Sequence, residues 1–214
     1  ARLLQASASD VVFSAGRFLV RDDPSRGVDL LSVARAARDP ANVPEGETPG
    51  LDTYVWNLLD VITFPNGCHI AEVEIDPNTG VVALVRYTAV DDFGTLLNPM
   101  LTLGQIQGGV VQGIGQAMLE RTVYDPESGQ LLSGSFMDYT LPRASDLPSL
   151  DIAFNGVPTA ANPLGVKGAG QAGAIAAPQA VICAVLDALA PRGVTHIDMP
   201  ATSENIWRAL QRSV

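Results

Sequence analysis

Two glutamines and a lysine stand in unusually bare surroundings. In GVKGAGQAGAIAAPQA, residues 165–180, Lys167 and Gln171 rise from a run of glycine and alanine. In LTLGQIQGGVVQGIGQAMLE, residues 101–120, Gln105 shares a segment with Gly104, Gly108, Gly109, Gly113 and Gly115. Residues this small let a backbone come close to another body, a packed helix or a bound ligand. Glycine-rich backbone also presents N–H groups to an anion, and Lys167 would add charge. A polar, phosphate-bearing ligand suits such a cradle. GVKGAGQAG lacks the spacing and the Lys-Ser/Thr end of a P-loop.

The other chemically able residues read more plainly. Glu72 and Glu74 lie two apart, so on a strand they share one face; a solvated face of a half-buried sheet explains them better than acid–base or metal chemistry. Asp91 and Asp92 point opposite ways on extended chain and suit turn or cap roles. His69 and His196 fall in strand-like patterns with no G-x-S-x-G elbow in the chain, and a lone strand histidine is most often a satisfied core residue. Cys68 and Cys183 are too few for a disulfide framework or a zinc site.

The elements that must hold the glycine-rich segments follow from patterning. DVVFSAGRFLVRDD predicts two short strands turning at Ala15-Gly16. VDLLSVARAARD spaces Leu30, Val33, Ala34 and Ala37 as on a helix, and residues 38–50 form a proline- and glycine-rich surface loop. HIAEVEID, PNTG and VVALVRYTAV make a hairpin, and VYDPESGQLLSG a second. Ile106, Val110, Ile114 and Met118 mark a helix whose glycines each cost up to about 1 kcal/mol against alanine, so close helix–sheet packing or a ligand must favour them. Pro178 fits the first turn of a helix carrying Val181, Ile182, Val185 and Leu189, stopped by Pro191 and Gly193. VTHIDMP predicts a last strand. A final helix follows, capped by Thr202 or Ser203, with Ile206, Trp207 and Leu210 inward. Strands joined by hairpins and interspersed with helices give an α+β fold, with mixed or antiparallel sheets under packed helices.

Composition sets bounds. The 214 residues are 47% hydrophobic and 17% charged, which is globular. A formal charge of −10 disfavours nucleic acid or anionic membrane as partner. No run of eighteen continuous apolar residues occurs, so no membrane span is expected. No signal peptide is read, and a reducing cytoplasm is the expected location. The chain starts at Ala1 and its first methionine is Met100, which points to a piece of a longer polypeptide.

GQIQGGVVQGIGQAMLE (104–120), GSFMDYTLPRASDLP (134–148), NPLGVKGAGQAGAIAAPQAV (162–181) and HIDMPATSENIWRAL (196–210) together resemble the molybdenum-binding large subunit of the xanthine dehydrogenase/aldehyde oxidase family. The aerobic carbon monoxide dehydrogenase-like large subunits are the nearest in flavour. FPNGCHIAEVEIDPNTG (64–80) and RYTAVDDFGTLLNP (86–99) fit too, so the likeness spans nearly the whole chain in one order. It implies that residues 1–214 are the C-terminal portion of the second molybdopterin-binding domain of a longer subunit. It further implies a molybdenum–molybdopterin cofactor, in bacteria often the cytosine dinucleotide, with iron–sulfur and FAD modules on other domains or subunits. The implied enzyme is an oxidoreductase, a molybdenum hydroxylase that oxidises a small aldehyde, heteroaromatic or carbon monoxide substrate by attack of a metal-bound hydroxyl.

Residue by residue, the resemblance places Gln105 at the family glutamine that contacts the pterin. It places Lys167, Gly168, Ala169, Gly170 and Gln171 along the loop beside the metal. At the position of Gln171 the family pattern, usually KGxGEAG, has a glutamate that serves as general base. A carboxylate accepts a proton near neutral pH and an amide does not. A branch that dispenses with the glutamate, a member that has lost activity, and a glutamine introduced to trap an inactive form all fit this departure. A non-catalytic structural or assembly module is the competing reading.

Overall fold

The computed structural model describes residues 1–56, 58 and 61–212. They fall into two compact units, residues 1–58 and residues 59–214.

The first unit is a three-stranded antiparallel sheet and one short helix. Strands β1 (Val11–Ser14) and β2 (Arg17–Val20) pair as expected across Ala15-Gly16, both at positive φ (+47° and +77°), the turn geometry that matches strand twist. Strand β3 (Asp23–Asp29) adds to β2. Patterning does not predict it, because Pro24, Gly27 and its charges argue against a strand; proline is tolerated there on a sheet edge. Helix α1 (Leu30–Ala36) starts where Asp29 accepts a hydrogen bond from the Ser32 N–H at 2.8 Å. The 38–50 segment is loop apart from a single 3-10 turn, Pro40–Asn42. Among the described residues of this unit, Leu4 and Val20 are the buried apolar ones.

In the second unit, β4 (Asn66–Ile75) and β5 (Val82–Asp92) form the expected antiparallel hairpin. Strand β6 (Leu150–Phe154) then joins β5 in parallel, so the sheet is mixed, in the order β4-β5-β6. Helices α2 (Pro99–Met118) and α3 (Ala172–Leu189) pack together, and α3 lies against β4. Tyr87 and Ala89 from the sheet, Ile106, Val110 and Ile114 from α2, and Val181, Val185 and Leu189 from α3 share one buried core. The α+β class is thereby observed.

Two glycines of α2, Gly109 and Gly113, have a packing reason, and their partner is a helix rather than the sheet; Gly115 lies against Glu120 and Pro142, and Gly104 and Gly108 meet nothing within 4 Å. A Cβ on Gly109 would lie 3.0 Å from the Ala174 nitrogen, and one on Gly113 2.7 Å from the Ala177 Cβ. From the other side, a Cβ on Gly173 would lie 2.6 Å from the Ile106 carbonyl oxygen. Three glycines therefore set how closely α2 and α3 approach, and alanine would force them apart.

Several expectations need correction. Helix α3 starts at Ala172, so Pro178 sits inside it rather than in its first turn, seated beside Gly113. VTHIDMP forms no strand: Val194 and Ile197 are buried, but among the described residues no neighbouring strand offers a ladder. In helix α4 (Ser203–Arg212) Ile206 and Leu210 are buried, whereas Trp207 is 43% exposed and lies over the Gly80 turn. The VYDPESGQLLSG hairpin is reduced to one antiparallel bridge, Tyr124 with Leu131. The helical stretch Ala172–Arg192 is long and apolar enough, by length and composition, to cross a membrane; only a third of its most apolar window is buried here.

Candidate cofactor-binding site

The end of β5 carries two aspartates that face different partners. Asp92 ends the strand with an Asx-type bond, accepting the Gly94 N–H at 2.8 Å, and it also accepts the Val157 N–H at 2.9 Å and the Lys167 ammonium at 2.5 Å. The Lys167 bond first, then the two N–H groups, holds its carboxyl well below the usual carboxylate range. The pair is largely sheltered, with side chains 13% and 11% exposed. Lys167 therefore faces an internal counterion, which neutralises the charge the sequence offered to an anionic ligand.

Asp91 turns the other way. It lies 3.1 Å from His69 Nε2, and His69 Nδ1 is 2.7 Å from the Tyr87 hydroxyl. Burial, and secondarily the Asp91 charge, pushes the Tyr87 phenol well up. His69 is thus a satisfied, buried histidine, as its strand position suggests. Residue patterning alone does not bring out the chain Asp91–His69–Tyr87, although hairpin register does: His69 stands opposite Ala89, which places residues 87 and 91 on its two diagonals.

These contacts anchor the loop that precedes α3. The Lys167 N–H donates to the Phe93 carbonyl at 2.9 Å, and the Thr95 N–H donates to the Gly165 carbonyl at 2.9 Å. Gly165 is at φ +66°, and a Cβ there would meet Pro158 at 2.9 Å. Asn162 brackets Val166, its amide donating to the Val166 carbonyl and its Oδ1 accepting the Val166 N–H. At the far end, Gln105 on α2 donates from Nε2 to the Gly170 carbonyl at 2.6 Å. The structure so brings together all the sequence-predicted residues: Lys167 at one anchor, Gln105 and Gly170 at the other, Gly168 and Ala169 between, and Gln171 at the exit.

Between the anchors the loop is open. Nothing lies within 4 Å of a Cβ placed on Gly168 or Gly170, and both are exposed. Among the described residues, no acceptor pairs with the N–H groups of residues 168–171. Gln171 is the N-cap residue of α3, is exposed, and makes no side-chain cap bond. The loop thus offers consecutive free N–H donors at a helix start, where the dipole favours anions. Open space and a neutral donor set fit an anionic, acceptor-rich cofactor. Among the described residues, no group of three or more His, Cys, Asp and Glu side chains could hold a metal ion.

Comparison with known proteins places the chain in a family. A family model described as a molybdopterin cofactor-binding domain matches residues 1–148. The nicotine 6-hydroxylase large subunit of Paenarthrobacter nicotinovorans is 39% identical over 98% of the chain and 26% of its own length. The carbon monoxide dehydrogenase large chain of Hydrogenophaga pseudoflava is 34% identical over 99% of the chain and 26% of its own. The solved structure of reconstituted CO dehydrogenase from Oligotropha carboxidovorans superposes with a TM-score of 0.78 at 30% identity, covering 100% of this chain and 26% of that one. The chain spans about a quarter of the length of these relatives.

Proposed function

Because the chain belongs to the molybdopterin cofactor-binding domain family, we propose that it is the C-terminal portion of the second molybdopterin-binding domain in the large subunit of a molybdenum hydroxylase. The observation that carries this reading is the open loop 168–171, anchored through Lys167 and Gly170 and presenting free N–H donors beside Gln171. The enzyme oxidises a small aldehyde, heteroaromatic or carbon monoxide substrate. The rest of the large subunit and iron–sulfur and flavin subunits complete the complex, in the cytoplasm. When bound, the molybdenum–molybdopterin would supply the two-electron oxidation.

The chain's own residues bind and orient. The N–H groups of residues 168–171 would donate to the cofactor's oxygens, and Gln105 Oε1 would be left to accept from the pterin. The Asp92–Lys167 pair holds the loop in place without adding net charge to it. Gln171 donates or accepts a hydrogen bond toward substrate or cofactor oxygen, but takes up no proton near neutral pH. Isolated, residues 1–214 bind cofactor weakly and turn nothing over.

The amide at residue 171 also favours a second reading, a structural or assembly module without catalysis. The substitution Gln171→Glu in the whole complex separates the two. Turnover that rises by about a hundredfold or more, the usual range for a positioned general base, shows an intact site that lacks only its base. Unchanged activity with molybdenum present points to chemistry that does not use this position. A complex purified with its partners yet free of molybdenum and pterin overturns the cofactor reading.

A further inference from the structure

The mixed sheet of the second unit has, among the described residues, a free edge beside α3. Among the described residues, β5 is paired on both sides, while β4 pairs only with β5. The outer edge of β4 leaves half its backbone N–H and C=O groups without a strand partner over ten residues, about 33 Å. A long free edge of this kind is an association hazard that natural proteins cover.

Helix α3 overhangs that edge. Ile175, Ala176, Ala180, Cys183 and Ala184 recur at helical spacing and, with Ile70 and Ala71 of β4, line a groove along it. Ile175 is 66% exposed and Ile70 56% exposed. The helix is eighteen residues long, about 27 Å, close to the reach of β4. The same helix is apolar enough to cross a membrane but has only a third of its most apolar window buried. Its uncovered side is therefore the apolar roof of a space that an added strand would fill.

We propose that an extended segment of the same polypeptide, from outside residues 1–214, pairs with the free edge of β4 and seats apolar side chains against the 175–184 stripe of α3. Length points to this occupant: the chain spans about a quarter of its relatives, whose remaining polypeptide is roughly three times as long. The lining also selects for it. Among the described residues, Asp187 is the one carboxylate that lines the groove, and His69 is already hydrogen-bonded, so an apolar strand fits and an acidic one does not. Main-chain pairing supplies the hold, and small pockets between alanines set which side chains enter. This inference rests on the reading that the chain continues beyond these residues.

The test uses the full-length complex carrying a photo-crosslinking p-benzoylphenylalanine in place of Ile70 or, separately, Ile175. The crosslinked peptides are identified by mass spectrometry, and amide hydrogen exchange is followed over residues 68–74. The expected product joins either position to a segment of the same subunit outside residues 1–214, with alternate β4 amides exchanging at least tenfold more slowly than a free edge. A product with residues 1–58, with another subunit or with a second copy overturns the proposal, as does no product at either position. Molybdenum is measured on the same preparation: a metal-free complex that still gives the expected crosslink overturns the cofactor reading and leaves this one standing.

Discussion

The loop that carries Gln171 is held by two unlike anchors. At its start, the Asp92 carboxylate gathers an ammonium and two backbone N–H groups in a sheltered site. At its end, one neutral amide on an exposed helix face, Gln105, donates to one carbonyl. Charge-assisted bonds are roughly twice as strong as neutral ones, so the first anchor fixes the loop's place in the fold and the second trims its last residues. A loop built this way keeps its charged anchor away from its open residues 168–171. Residues 168–171 carry no charged side chain, and what they present is the direction of their N–H groups.

Substitutions at the two ends sharpen that contrast. Asp92→Asn should give the largest fall in Tm of this set, because it leaves Lys167 sheltered without its counterion and weakens the acceptor of two N–H groups. The effect is pH-dependent with a defined sign. The Asp92 pKa is depressed in the folded protein, so its contribution is complete above the unfolded carboxylate value near 4 and is lost as pH falls through the lower folded value. The difference in Tm between wild type and Asp92→Asn should therefore be flat from pH 7 to 5 and shrink steadily below pH 4. A difference that persists unchanged to pH 2 would assign the anchor to something other than the carboxylate's charge. Gln105→Ala should come next, removing about 0.5–1.5 kcal/mol from urea unfolding while lowering molybdenum content of the full complex more than it lowers stability. Equal losses in both would make Gln105 merely structural. Gln171→Ala, which breaks no cap bond, should change unfolding by less than about 0.5 kcal/mol, and a larger loss would show that Gln171 helps to hold the loop.

Much of the fold is legible in the sequence, and the parts that are not share a cause. The β1–β2 turn, the β4–β5 hairpin, the stripe of α2 and the inward Ile206 and Leu210 of α4 depend on neighbours in the chain. Strand β6 exists because β5 offers it a parallel edge about sixty residues earlier, which periodicity does not reveal. Val194 and Ile197 look like strand residues, but they are three apart and plug into the core from extended chain without a ladder. Patterning starts helix α3 too late because glycine and alanine around residue 173 resemble loop; the close crossing with α2 is what makes them helical. At the site, the residues are legible but their partners are not. Lys167 and Asp92 are 75 positions apart, and only folding shows that the lysine's charge is already matched.

The crossing at Gly173 bears on how this protein can change. The Cα of Gly173 sits where one methyl group would strike the backbone of α2 at Ile106, one residue from Gln105. Helix α3 therefore acts as a gauge whose zero is set at Gly173, and the spacing between Gln105 and the loop is measured from it. Residue 171 can be exchanged freely for another side chain, glutamate included, without disturbing that zero. Residue 173 cannot be exchanged at all without moving every distance downstream of it. A new side chain on this loop is thus one codon away, while a new geometry would require two helices to be rebuilt together.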